Sequence, residues 1–180
     1  MKNLFLLILS ALLLSSCANS PFGKKVIEPF SGNAYESNNR FFRATGKGES
    51  SSDNIARGKA DIEAKTYLAG QVNTTMKQVA DNYQGQTENE KGADVAEKFQ
   101  SLAREVMNTD LADIRKVGEK KYFNDKEKKY TVFIAYEIKK NAMFRFMKKQ
   151  ARVNQKIDER QMAIIDKILD EQIKASEEEN

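Results

Sequence analysis

Histidine and tryptophan are absent from this chain of 180 residues, and cysteine occurs once, as Cys17. Without histidine, the commonest general base and the side chain that switches charge near neutral pH are both missing. A single cysteine rules out an intramolecular disulfide. The two shortages together exclude most zinc sites and every nucleophile system built on Cys or His. Proline is nearly as scarce. Pro21 and Pro29 are the two, so the chain past residue 30 carries none of these helix breakers. No apolar run approaches the roughly 20 residues that a membrane-spanning helix needs. What remains is 40% hydrophobic and 31% charged, the balance of a globular domain. Neither a cofactor nor a small-molecule substrate is expected.

The first seventeen residues are the most informative. Lys2 precedes an apolar run from Leu4 to Leu14, broken only by Ser10, and Ser15, Ser16 and Cys17 follow. A basic start, a short hydrophobic stretch and small residues before a cut site make a secretory signal. An aliphatic residue, two small residues and then cysteine resemble the bacterial lipobox, in which the cysteine is lipidated and becomes residue one. The competing readings are a transmembrane anchor, for which the run is too short, and a signal whose cysteine is incidental. An unpaired thiol in an oxidising compartment is a liability that lipidation removes. The expectation is therefore a signal peptide over 1–16, cleavage between Ser16 and Cys17, and acyl chains such as palmitate on Cys17. That makes a lipoprotein of the cell envelope, held at the bacterial outer membrane and facing the periplasm.

The net charge of +4 hides an asymmetry. Between Arg115 and Lys156 lie fourteen Lys or Arg against four acids, and from Ile157 onward eight acids face three bases. A basic stripe can meet an anionic partner. Nucleic acid is not expected outside the cell, so the anionic candidate is a phospholipid or cell-wall surface. The residues that would touch it are Lys139, Lys140, Arg145, Lys148, Lys149 and Arg152. The plainer reading of the same stripe is a solvated helix face.

Residues 17–39, rich in Asn, Ser and Gly, read as a flexible tether from Cys17. Arg40–Glu49 reads as a strand that Gly46 and Gly48 bring to an end, leading to N-cap candidates at Ser50 to Asp53. From Asp53 to Tyr83, Ala56, Ala60, Ala64, Tyr67, Leu68, Val72, Met76, Val79 and Tyr83 form one apolar stripe of a long helix. The early alanines would let it lie close to a sheet. Gln84, Gly85 and Gln86 are expected to break it. Val95, Phe99, Leu102 and Val106 predict a second helix over 93–108. Strands follow at 111–123 and 130–138, joined by a turn at Asn124 to Lys126. Tyr130–Ile138 is apolar on both faces and should be the central strand, covered on both sides. One long amphipathic helix is expected from Asn141 to about Ala175. The fold class is α+β, a small antiparallel sheet packed against long helices in the order β-α-α-β-β-α. The domain proper covers 40–140, and the last helix covers 141–180.

The run -FRATGKGESSSDNIARGKADIEAKTYLAGQV- resembles the start of the LPP-twenty lipoprotein domain. There a strand ending Gly-x-Gly leads through Ser/Asp into a long alanine-rich helix. Ala56, Arg57, Ala60, Ala64, Leu68 and Ala69 match the pattern of that helix, and the -YFNDKEKKYTVFIAYEI- hairpin fits as well. The resemblance covers roughly residues 40–140. It implies a small bacterial envelope lipoprotein with no catalytic residues to carry over. The helix after Asn141 is not matched.

Other motifs yield little chemistry. Thr45 to Ser50 lacks the spacing of a phosphate loop, and Glu49 would repel phosphate. The acid pairs Asp61 with Glu63, Asp94 with Glu97, and Asp158 with Glu159 lie in polar helical stretches where carboxylates face water, whereas a glycosidase needs two facing across a cleft. Ser50 to Ser52 without histidine read as caps. The aromatics, Tyr67, Tyr122, Phe123, Phe133 and Tyr136 among them, read as core. The expected function is non-catalytic, a structural or adaptor role in which the protein binds another envelope protein or itself. Contact with an anionic surface through the basic stripe is the second reading, and a cell-wall enzyme the weakest. A flat apolar surface or an unpaired strand edge would favour the adaptor.

Overall fold

The computed structural model describes residues 23–87, 90–109 and 114–177; the signal segment, Ser16 and Cys17 lie outside the described residues. The elements in order are β1 (Phe41–Ser50), α1 (Asp53–Thr87), α2 (Glu90–Thr109), β2 (Arg115–Asn124), β3 (Lys129–Lys139), α3 (Lys140–Val153) and α4 (Glu159–Glu177). The sheet is antiparallel in the order β1-β3-β2. The fold is α+β, as the patterning predicts, with β3 in the centre. Among the described residues, no helix is long and apolar enough to cross a membrane.

Gly46 and Gly48 do not end the first strand. They lie inside it, paired with Ile134 and Val132, and β1 continues to Ser50. The reason is contact with α1. A Cβ at Gly46 would stand 2.2 Å from the Ala60 carbonyl oxygen, and one at Gly48 would stand 2.0 Å from that of Ala56. Helix and strand therefore touch backbone to backbone. The facing Ala56, Ala60 and Ala64 are fully buried. Glycine weakens a strand but permits such an approach.

Ala56, Ala60, Ala64, Leu68, Val72, Met76 and Ala80 are the buried positions along α1. They step by four. A strict step of four winds about 40° round an α-helix each time, so the face buried at Ala56 is not the face buried at Ala80. The first half of α1 lies on the sheet, where Ala56 and Ala60 pack with Val132 and Ile134. The second half meets Phe99 and Leu102 of α2, Phe144 and Met147 of α3, and Ile165 and Leu169 of α4 in the main core. Tyr67, expected in the stripe, falls off this line and is 55% exposed. Gln84 to Gln86 do not break the helix, which runs on to Thr87; one helical glycine costs only about 1 kcal/mol.

The opposite face of the sheet is covered too. Phe133, Ala135 and Glu137 of β3 are buried there. Thr45 and Gly118 flank Ala135 in register. The Thr45 hydroxyl donates to the Phe30 carbonyl at 3.1 Å, and the Phe30 ring fills the space where Gly118 lacks a side chain. Phe30 meets Tyr35 edge-on at 5.2 Å. The expected tether over 17–39 is therefore docked from about Glu28 onward. Phe30 has φ 58, a strained value for an aromatic residue, and ring burial over Gly118 offsets it.

The single helix expected over 141–175 is two. After α3 the chain turns through Asn154 to Asp158 and returns as α4. Asp158 starts α4 with a reciprocal capping box. Its carboxylate accepts from the Gln161 N–H at 2.8 Å, and the Gln161 side chain accepts from the Asp158 N–H at 3.0 Å. The D-x-x-Q spacing that starts this helix is present in the sequence.

The close approach of α1 to β1 yields a test. Gly48→Ala and Gly46→Ala should each destabilise the fold by about 2–4 kcal/mol, because a methyl group would overlap helix backbone. Gly58→Ala and Gly70→Ala on α1 meet nothing within 4 Å and should be neutral or stabilising. Urea unfolding of the four variants decides it, and equal midpoints would contradict the contact.

Candidate functional site

Both outer strands of a three-stranded sheet present unpaired backbone groups, and here the two are treated differently. In β1 the residues with outward N–H and C=O are Phe41, Arg43, Thr45, Lys47 and Glu49, by ladder alternation. Side chains reach four of them. Asn38 accepts from the Phe41 N–H at 2.9 Å, and its own N–H donates to the Phe41 carbonyl at 3.0 Å. Ser37 accepts from the Arg43 N–H at 2.8 Å and donates to Gln71, whose amide donates to the Arg43 carbonyl at 2.9 Å. Glu63 accepts from the Lys47 N–H, and Lys59 donates to the Glu49 carbonyl at 3.1 Å. This edge is largely covered, with Thr45 between the bonded residues.

The edge of β2 is open. By the same alternation the N–H and C=O of Glu119, Lys121 and Phe123 point away from β3. Among the described residues no side chain is hydrogen-bonded to the backbone of β2. What holds the strand to α1 is charge. Lys121 pairs with Asp53 at 2.7 Å, and Glu119 pairs with Arg57 and, at 2.7 Å, with Lys116. A bulge between Lys116 and Gly118 disturbs the register. Tyr122 and Phe123, expected in the core, are 49% and 45% exposed at the far end. Their rings lean on Phe133 and Tyr130 only from one side.

Glu137 is the one buried acid among the described residues. Arg43 from β1 donates to it at 3.1 Å, and Arg115 from β2 donates from the other side. Burial pushes this carboxyl up, but the hydrogen bonds and charges of the two guanidinium groups outweigh burial and hold it below the ordinary carboxylate value. One carboxylate thus ties all three strands together. On the helix side, the Tyr136 hydroxyl donates to Asp61 at 2.5 Å, and burial with that bond raises the phenol to about 12.

Of the six cations expected to meet an anionic surface, three are already paired. Arg145 reaches Glu177 at 2.8 Å, Lys148 holds both oxygens of Asp170 at 2.6 Å, and Arg152 reaches Asp166 at 3.2 Å. The α3 part of the basic stripe and the acids of α4 thus face each other across the hairpin, where three pairs form. Lys140 lies 4.6 Å over the Phe42 ring, and burial lowers its pKa. Lys139 and Lys149 have no carboxylate partner among the described residues. Together with Arg145 and Phe146 they line a hollow of about 570 Å³.

The acid pairs are spent singly. Asp61 serves Tyr136 and Lys65, Glu63 the β1 edge, Asp94 the Gln161 amide, and Asp158 the cap of α4. A groove of about 700 Å³ between β1 and α1, lined by Tyr35, Ser37, Thr66, Tyr67, Gln71 and Lys140, brings no two of these carboxylates together. The β1-edge residues Ser37, Asn38 and Gln71 carry no sequence signal of their role. They are ordinary polar residues until the chain places them against a strand.

The buried carboxylate makes stability depend on pH. Its folded pKa lies below the unfolded one, so its contribution is present at neutral pH and is lost as pH falls through the folded value. Arg43→Met should cost about 2–4 kcal/mol at neutral pH, because Glu137 keeps only the exposed Arg115. That cost should shrink as pH falls through the folded value, where the carboxyl takes up a proton. Glu137→Gln should flatten the acid limb of the profile. Urea unfolding over a series from pH 7 down the acid limb measures both, and parallel profiles for parent and variants would contradict the assignment.

No protein-family model matches the chain, and neither a curated protein nor a solved structure matches it.

Proposed function

We propose that this is a lipid-anchored bacterial envelope protein of the LPP-twenty type, tethered through Cys17 to the outer membrane and facing the periplasm. It acts without catalysis, as a structural or adaptor protein that binds another envelope protein or itself. One observation carries the adaptor role, the contrast between a β1 edge largely covered by side chains and a β2 edge with none. Unprotected edges are templates for another chain, and proteins cover them when no partner is meant to bind. Here the same sheet has one edge whose backbone is bonded by side chains and one that carries lysines and a bulge but no such bonds. Exposed Tyr122 and Phe123 at the end of the bare strand add apolar area to such a contact.

The anchor is tested directly. The mature N-terminus should be Cys17 carrying diacylglyceryl and an N-acyl chain, and Cys17→Ser should leave an unprocessed precursor. Mass spectrometry reads this out, and an unmodified peptide running through from Ser16 to Ala18 would rule the anchor out.

The hollow with Lys139 and Lys149 supports a second reading, contact with an anionic membrane or cell-wall surface. Pairing of Arg145, Lys148 and Arg152 within the hairpin weakens it, since paired charges attract lipid less. The chain from Ala18 onward is expected to ignore anionic vesicles even at low salt. Binding that is released by salt, and abolished by Lys139→Glu with Lys149→Glu, would establish the second reading instead.

A further inference from the structure

We propose that the open edge of β2 receives an extended acidic segment of another protein as a fourth, antiparallel strand. This rests on the adaptor reading and names the partner by its chemistry. Main-chain groups of Glu119, Lys121 and Phe123 supply the ladder, as in other cases of strand addition. Side chains supply the selection. β2 carries Arg115, Lys116, Lys120 and Lys121; Arg115 already meets Glu137, Lys116 meets Glu119 and Lys121 meets Asp53, which leaves Lys120 as its cation without a carboxylate partner among the described residues and Lys121 sharing one.

Successive side chains of a strand point to opposite faces. Lys120 lies on the face that carries Phe30, its ammonium 5.8 Å from that ring, while Lys121 lies on the α1 side beside Asp53. Tyr122 and Phe123 are split between the same two faces. An incoming strand therefore meets a cation on each face, and then an aromatic on each face. Antiparallel to -KKYF-, the complementary order is two apolar residues followed by two acids. A pattern alternating acid and apolar residues would satisfy one face only.

A second copy of this chain fits less well. Two β2 strands edge to edge would bring the Lys120 and Lys121 of each copy into one seam with only Asp53 beside each Lys121, and like charges across a ladder repel. The lysines thus have two consequences. They keep β2 from pairing with itself, and they leave it open to a strand of opposite charge. The β1 edge is the poorer site for such a ligand, because Asn38, Ser37, Gln71, Glu63 and Lys59 already bond most of its outward groups.

The probe is the blocked peptide Thr-Val-Val-Glu-Glu-Thr-Val, titrated into the full chain in detergent micelles and followed by amide NMR and hydrogen exchange. The expected result is protection of the Glu119, Lys121 and Phe123 amides, with affinity falling as salt rises. A peptide with Lys in place of both Glu should bind about tenfold more weakly, as two cross-strand charge pairs turn from attraction to repulsion. Lys121→Pro removes one outward N–H and leaves the ladder to β3 intact; it should abolish the protection, whereas Lys121→Ala should retain most of it. Circular dichroism of both variants confirms that the sheet is kept. Equal affinity for the two peptides, binding unchanged by Lys121→Pro, or no binding of either peptide overturns the proposal. Photoreactive residues placed singly at Tyr67, on the far side of the domain, and at Phe123 in the lipidated chain test the adaptor reading separately. Adducts from the Tyr67 position that persist in the Lys121→Pro chain leave an adaptor that binds elsewhere. Absence of adducts from both Tyr67 and Phe123 positions overturns both readings.

Discussion

Everything in this molecule is arranged around a helix that lies on a strand with no side chains between them. Gly46 and Gly48 bring the β1 backbone against α1 at Ala56, Ala60 and Ala64. Close packing of this kind tolerates no added volume. It sets the height of α1 above the sheet and therefore where its polar side chains arrive. Glu63 and Gln71 reach the edge of β1, Asp61 reaches Tyr136, and Arg57 and Asp53 reach β2. A larger residue at either glycine would lift the helix and move all of these contacts at once.

The sheet is asymmetric for the same reason. Beside β1 the helix is near enough for its side chains to bond strand backbone directly. Over β2 it is farther away, and only long charged side chains span the gap. The result is one strand buried in the fold and one held at arm's length by ion pairs. Exposed pairs of that sort contribute little stability, so β2 depends mainly on its ladder with β3 and on the Arg115–Glu137 contact. Low burial and an exposed backbone edge make β2 the strand most available to a partner.

Charge follows a similar logic of local compensation. The chain places fourteen bases in one stretch and eight acids in the next. Read linearly, this looks like a cationic surface with an anionic tail. Folded as a hairpin, the two stretches run antiparallel, and Arg145, Lys148 and Arg152 meet Glu177, Asp170 and Asp166 in order. What survives of the basic stretch without a carboxylate partner among the described residues is smaller: Lys120, Lys126, Lys139, Lys140, Lys149 and Lys156.

The sequence by itself determined the class of fold, the central strand and the two helices after β1, because period-two and period-four patterns are properties of the local chain. Tyr130–Ile138 is apolar on both faces wherever it sits, and Ala56 to Ala80 can bury only one winding stripe. It also held the capping box at Asp158 and Gln161, a local signal that marks the break between α3 and α4. Other features were decided only by the tertiary structure. Glycines within a strand and glycines in a turn look alike in sequence; only the approach of α1 distinguishes them. Phe30 is one aromatic in a polar stretch until Gly118, eighty-eight residues later, leaves a space for its ring. Which edge of the sheet stays open depends on how Ser37, Asn38, Glu63 and Gln71 fall in space. The Glu63 and Gln71 contacts join residues 16 and 28 positions apart, where no periodicity records them.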